Sequence, residues 1–90
     1  MFETLEELIA VIRQRKRSST EESYTHKLLN NKKLSVEKVK EEIAELIEAI
    51  EKNSNKVHES ADVLYHLMVL LEANGIKIED VMDELKKRQK

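Results

Sequence analysis

The chain has 90 residues with no cysteine, no proline, one glycine and three aromatic side chains, so disulfides, thiolate metal sites and thiol nucleophiles are excluded. Sixteen basic residues against eighteen acidic ones give a net charge of −2, which argues against nucleic acid as a partner. The densest apolar stretch, Ala61 to Leu71, holds nine apolar residues in eleven and is too short to cross a bilayer. The opening Met1-Phe2-Glu3 lacks a basic region followed by an apolar run, so no signal peptide is expected and the expected location is cytoplasmic.

In chain order the pattern is helical throughout. Thr4 followed by Glu7 reads as a capping box, and Leu5, Leu8, Ile9 and Ile12 then recur at helical spacing. The basic run from Arg13 to Arg17 suits the negative end of that helix. Ser18-Ser19-Thr20 is expected to break the chain, and Ser23 to Leu29 to form a turn or two of helix. A polar break at Asn30-Asn31-Lys32-Lys33 follows, with Ser35 the expected N-cap of a third helix. Val36, Val39, Ile43, Leu46, Ile47 and Ile50 form a stripe along that helix, which Lys52-Asn53-Ser54-Asn55 ends. A fourth helix is expected from about Lys56 to Ala73, stopped by Asn74-Gly75. The last helix places Ile78, Val81, Met82 and Leu85 on one face. Nothing alternates with period two, so the expected class is all-α, an antiparallel bundle of four to five helices in a single domain.

Between Ala61 and Leu71 only Asp62 and His66 interrupt the apolar residues, so the fourth helix is apolar nearly all round. A chain of this length buries only roughly 60–65% of its unfolded surface. Four or five helices from one chain hardly surround such a helix. A second copy is the economical cover, and a homodimer is expected.

The acidic residues carry the chemistry. Glu42 and Glu45 are three apart on the third helix, and Glu59 and Asp62 repeat that spacing on the fourth. The short connection makes the two helices an antiparallel pair. Glu42 lies about 90° off the middle of the apolar stripe, on the margin that borders a neighbour. Acidic helix faces are common as solvated, salt-bridged surface. Asp62 departs from that reading, because a carboxylate inside the most apolar stretch is costly unless paired or ligating. Carboxylates facing one another across two helices repel unless a cation sits among them, and all-oxygen donors suit Mg²⁺ or Mn²⁺. His66 is expected to be hydrogen-bonded in the core, Tyr65 to pack with its hydroxyl at a partner, and Met68 and Met82 to fill the core.

Four segments together carry a resemblance: Ser23-Tyr24-Thr25, Lys27-Leu28-Leu29, Lys38-Val39-Lys40-Glu41-Glu42-Ile43-Ala44-Glu45, and Glu59-Ser60-Ala61-Asp62-Val63-Leu64-Tyr65-His66-Leu67. They resemble the phosphoribosyl-ATP pyrophosphohydrolase family of histidine biosynthesis. That family lies within the all-α nucleoside-triphosphate pyrophosphohydrolases, which include MazG and dimeric dUTPases. The superfamily pattern E-x-x-E, gap, E-x-x-D falls on Glu42, Glu45, Glu59 and Asp62 with thirteen residues between its halves. The Ser-Tyr-Thr and Ala-Asp-x-Leu-Tyr-His-Leu segments narrow it to this family. The similarity runs from about Leu5 to Leu85, and the length matches the form not fused to the next enzyme of the pathway. One departure is visible: the family's glycine in the turn before the third helix is replaced by Asn30-Asn31-Lys32-Lys33-Leu34, which leaves the shape of that loop open.

The resemblance implies hydrolysis of the α–β phosphoanhydride of phosphoribosyl-ATP to phosphoribosyl-AMP and pyrophosphate. It implies Glu42, Glu45, Glu59 and Asp62 as metal ligands, directly or through water, and Glu41 as a second-choice ligand or water-orienting base. Lys38, Arg15, Lys16 and Lys27 are its candidate phosphate-binding residues, although basic residues crowd helix C-termini anyway. Two alternatives remain at this stage. One is a related pyrophosphohydrolase acting on another nucleoside triphosphate; the other is a non-enzymatic helical interaction module whose acids are surface charge.

Overall fold

The computed structural model describes residues 1–17 and 23–89, and among these five helices and no strand are found. The expected break at Ser18-Ser19-Thr20 lies outside the described residues. Helix α1 (Glu3–Arg17) starts earlier than the Thr4 cap predicts: Phe2 O already accepts from Glu6 N at 3.1 Å, which places Thr4 inside the first turn. Glu3 and Glu6 at its start and Arg15, Lys16 and Arg17 at its end complement the helix dipole. The short α2 (Tyr24–Leu29) begins where Ser23 Oγ accepts from His26 N at 3.1 Å.

Helix α3 (Lys32–Lys52) corrects a second expected cap. Asn31 Oδ1 accepts from Leu34 N at 3.0 Å, so Asn31 caps the helix one turn before Ser35. Ser35 is instead buried inside α3, and its Oγ donates to Leu28 O at 2.6 Å, tying α3 to α2. Neither Asn30 nor Asn31 has positive φ, so this turn needs no glycine. At the far end Asn53 is left-handed at φ 53°, and Ser54 N closes back on Ala49 O at 3.0 Å. Asn55 is left-handed too and delivers the chain into α4 (Lys56–Ala73). The chain's one glycine ends α4. Gly75 has φ +70°, a conformation L-residues seldom adopt, and Ile76 N donates back to Leu71 O at 2.9 Å. Helix α5 (Ile78–Arg88) follows.

The core sits where α1, α2 and α4 meet. Ile12, Leu28, Leu29, Met68, Val69 and Ala73 are buried together, with Leu8, Ile9, Leu34 and Ile78 packed against them. Removing one of these side chains, Leu28 for example, costs ~2–5 kcal/mol by the usual behaviour of large-to-small changes. Arg13 fastens the outer helices: its Nε bonds Glu72 of α4 at 2.8 Å, and its terminal nitrogens bond Glu79 of α5 at 2.6 and 2.9 Å.

Helices α3 and α4 form the most extensive pair, an antiparallel hairpin across a three-residue turn. The face α3 turns inward is not the middle of its apolar stripe. Ser35, Val39 and Ala49 are buried and Leu46 half-buried, a seam with 3–4 spacing that includes Glu42. Val36, Ile43, Ile47 and Ile50 are left exposed at 39–57%. Helix α4 also departs from full cover: Leu64 is 48% and Val57 86% exposed. Met82, expected in the core, is half-exposed on α5, where no residue is buried.

Candidate active site

The α3–α4 seam interleaves its acids with apolar residues on the side of the turn, where Leu46 and Ala49 lie beyond Glu42 and Glu45. Val39 and Ser35 run toward the core, while Glu42, Glu45, Glu59 and Asp62 occupy the half nearer the turn. The carboxylates of Glu41, Glu42 and Glu45 converge to within 4.8 Å of one another on α3. On α4 the same limit holds Glu59, Asp62 and His58 together. The two expected pairs are thus present, each joined by one more residue of its own helix.

Glu42 is the most constrained of the acids. Its side chain is 13% exposed, and its Oε2 is shut off from solvent with no hydrogen-bond donor among the described residues. Burial, the adjacent Glu45 carboxylate, and the charges of Asp62 and Glu59 push its carboxyl up from 4.5 to about 7. Glu59 is shifted in the same direction by burial and then by Glu45 and Asp62, and its Oε2 likewise lacks a donor. Each of these influences crosses between α3 and α4 or runs along one of them. Glu45, Asp62 and Glu59 thus bear on Glu42, and Glu45 and Asp62 bear on Glu59.

Asp62 differs from the expectation of a crowded, buried carboxylate. Its side chain is 41% exposed, and His58 Nε2 stands 3.4 Å from Oδ2. The sequence reading did not single out His58, although its position four residues before Asp62 on one helix face was a usable signal. His66 is buried as expected, but neighbouring rings hold it rather than a short hydrogen bond. Tyr65 meets it edge-on with centroids 5.0 Å apart, Tyr24 does so at 5.9 Å, and its Nε2 lies 3.8 Å from Glu42 Oε1. Burial lowers the His66 imidazole below its usual 6.5, so near pH 7 it faces Glu42 as a neutral ring. The Tyr65 hydroxyl is hydrogen-bonded to Thr25 Oγ1, which ties the Ser-Tyr-Thr segment of α2 to α4.

The basic candidates divide by location. Lys38 Nζ lies 3.5 Å from Glu41 Oε2, one turn before the acids, and Glu41 followed by Tyr24 raises its ammonium. Lys27 is exposed on α2, three residues after Tyr24. Arg15 is half-buried on α1. Lys16 is not brought to the acids: its Nζ donates to Glu72 O near the C-terminal end of α4, about 15 Å along the helix from Asp62. A cleft of about 270 Å³ opens beside Glu45 and Glu59, floored by Ala49 and bounded by Lys52, Ser54 and Asn55 of the turn.

Residues 5–89 match the family described as phosphoribosyl-ATP pyrophosphohydrolase. The chain belongs to this family. Among similar proteins is the phosphoribosyl-ATP pyrophosphatase of Metallosphaera sedula, 44% identical over 93 residues and covering both chains completely. That of Haloarcula marismortui is 41% identical over 92 residues, covering 97% of this chain and 94% of the other. The chain also matches the histidine biosynthesis bifunctional protein hisIE of Arabidopsis thaliana at 43% identity, covering 94% of this chain but 33% of that longer protein. The family match spans α3 and α4 in full, so the acidic seam belongs to the matched region.

Proposed function

We propose that this chain hydrolyses the α–β phosphoanhydride of phosphoribosyl-ATP, releasing pyrophosphate and phosphoribosyl-AMP, as a step of histidine biosynthesis. The observation that carries the reading is the pair of solvent-shielded carboxylate oxygens, Glu42 Oε2 on α3 and Glu59 Oε2 on α4, each without a donor among the described residues. Such an arrangement is unfavourable for a merely structural surface and suits a site that receives a cation. All the converging carboxylate donors are hard oxygens, which fits Mg²⁺ or Mn²⁺. Glu42, Glu45, Glu59 and Asp62 are the ligands of this proposal. The bound ion would neutralise phosphate charge and lower the pKa of water.

The protein's own side chains have separable tasks. Glu41, exposed and beside the ligands, orients a water and accepts its proton. Lys38, held by Glu41, offers positive charge to a phosphate at the edge of the cluster. Lys27 and Arg15 are candidates for the ribose phosphate, whereas Lys16 in the same protomer is committed to Glu72. His58 steadies Asp62 from the solvent side.

The proposed assembly is a homodimer in the cytoplasm. Ile43, Ile47 and Ile50 on α3 and Leu64 on α4 leave apolar surface of 42–57% exposure. A groove of about 790 Å³ between α1, α4 and α5, lined by Phe2, Leu5, Ile9, Leu64, Met68 and Met82, adds to it. Patches of this kind mark association surfaces. Among the described residues no helix is long and apolar enough to cross a membrane.

The deciding experiment is pyrophosphate release from phosphoribosyl-ATP with and without Mg²⁺, run beside a panel of ordinary and modified nucleoside triphosphates. Metal-dependent turnover of phosphoribosyl-ATP well above the panel is expected. Preference for another nucleotide would reassign the substrate, and no turnover of any of them would leave the interaction-module reading.

A further inference from the structure

The acidic seam accounts for phosphates and leaves the base unaddressed. Carboxylates with a cation recognise a polyphosphate by charge, and that recognition is the same for inorganic tripolyphosphate as for a nucleotide. Selecting a nucleotide calls for a surface that meets a flat aromatic ring, and the chain has only three aromatic side chains to supply one. Phe2 lines the apolar groove between α1, α4 and α5, which none of Glu42, Glu45, Glu59 and Asp62 lines. Tyr65 is half-buried, with its hydroxyl taken by Thr25.

Tyr24 stands differently. It opens α2 and is 48% exposed, although a tyrosine ring is normally among the more covered side chains. Its orientation is nevertheless held. The ring meets His66 edge-on at 83°, and His66 is itself buried and braced at 80° by Tyr65. His66 in turn faces Glu42 at 3.8 Å. An exposed ring is therefore fixed to the margin of the carboxylate cluster by a residue of the cluster's own seam. An edge contact occupies one part of a ring and leaves surface for stacking. Lys38 Nζ lies 3.5 Å from Glu41 Oε2, which sets a positive group at the edge of the carboxylate cluster.

The geometry points to Tyr24 as the platform on which the purine ring of a nucleoside triphosphate stacks while its phosphates reach the carboxylates of α3 and α4. This rests on the reading that the acidic seam takes a nucleoside polyphosphate. Stacking of one base on an aromatic side chain corresponds to roughly a five-fold to hundred-fold change in affinity.

The test compares Tyr24→Leu, Tyr24→Phe and Tyr24→Trp with the wild type. Calorimetry measures binding of α,β-methylene-ATP, whose α–β link resists cleavage, and of inorganic tripolyphosphate, which has no base, both with Mg²⁺. Tyr24→Leu should weaken the nucleotide analogue about ten-fold or more and change tripolyphosphate less than two-fold. Tyr24→Phe should restore the analogue's affinity, and Tyr24→Trp should hold or tighten it. In turnover the leucine variant should raise KM with kcat within about three-fold. Equal weakening of both ligands, unchanged binding of the analogue, or a phenylalanine variant as impaired as the leucine one would each overturn the platform. If Tyr24→Leu does not fold, the tryptophan and phenylalanine variants decide by the same comparison. The two readings fail separately. A wild type that binds the analogue but releases no pyrophosphate refutes the proposed reaction and still tests Tyr24. A wild type with normal turnover and no ring dependence refutes Tyr24 alone.

Discussion

Replacing Glu42 by glutamine keeps the shape of the side chain and removes the charge that the seam holds at a disadvantage. The ionised Glu42 of the folded chain is disfavoured by burial, by Glu45, and by Asp62 and Glu59, which together raise it from 4.5 to about 7. That displacement corresponds to ~3 kcal/mol of destabilisation once the group is fully ionised in both states. The pH dependence follows from the sign. Below about pH 4.5 Glu42 is protonated in both folded and unfolded chains, and its contribution is fully present. Between there and about pH 7 the unfolded chain releases the proton while the folded chain keeps it, so stability falls as pH rises. Above about 7 the loss is complete. Urea unfolding without divalent metal, at fixed protein concentration, should therefore find Glu42→Gln more stable than wild type by ~2–3 kcal/mol at pH 8, with the difference gone near pH 4.5. At this chain length that is a Tm increase of roughly 10–20 °C. Millimolar Mg²⁺ should reverse the order, stabilising the wild type and leaving the variant nearly unchanged, with pyrophosphate release lost. A glutamine variant less stable than wild type at pH 8, or a difference independent of pH, would refute the crowded-carboxylate account. Asp62→Asn is expected to gain less stability than Glu42→Gln, because Asp62 is 41% exposed and faces His58.

Arg13→Ala should lower stability by ~1–3 kcal/mol, because it leaves the Glu72 carboxylate, only 13% exposed, with Lys16 Nζ at 4.0 Å as its remaining cation. Arg13 also holds Glu79 down at about 2, so the contribution of that pair is present above pH 4.5 and fades as pH falls toward 2; acid titration of Arg13→Ala should lack this component. Ser35→Ala should cost ~0.5–1.5 kcal/mol in urea unfolding, because Leu28 O loses its 2.6 Å donor and keeps Asn31 N at 3.2 Å. Ile47→Asp together with Leu64→Asp should move the sedimenting species from twice 10.5 kDa to the single-chain mass. A wild type that sediments at 10.5 kDa at micromolar concentration would remove the proposed dimer.

Local sequence determined the helices of this chain closely. The 3.6-residue recurrence, the asparagines that end α3, and Asn74-Gly75 after α4 act within a few residues and need no partner, so α4 runs from Lys56 to Ala73 as its pattern requires. The E-x-x-E and E-x-x-D spacings likewise put each pair of acids on one helix face. What sequence left undecided is rotation and neighbourhood. The apolar stripe of α3 was wide enough to bury either Val36, Ile43 and Ile50 or Val39 and Leu46, and the pull from α4 and from Ser35 onto Leu28 O selected the second set, with Ala49 outside the expected stripe buried beside it. That rotation carries Glu42 into the seam and leaves an apolar flank outside. It also makes Glu42, rather than Asp62, the carboxylate under greatest strain. The Ser35 cap failed for a related reason, since Asn31 could close the helix one turn earlier once Leu28 claimed the serine. His58 beside Asp62 and the Tyr24–His66–Tyr65 brace belong to the same class of facts. Each depends on where helices approach within a few ångströms, and such distances come from packing across the bundle rather than from spacing along the chain.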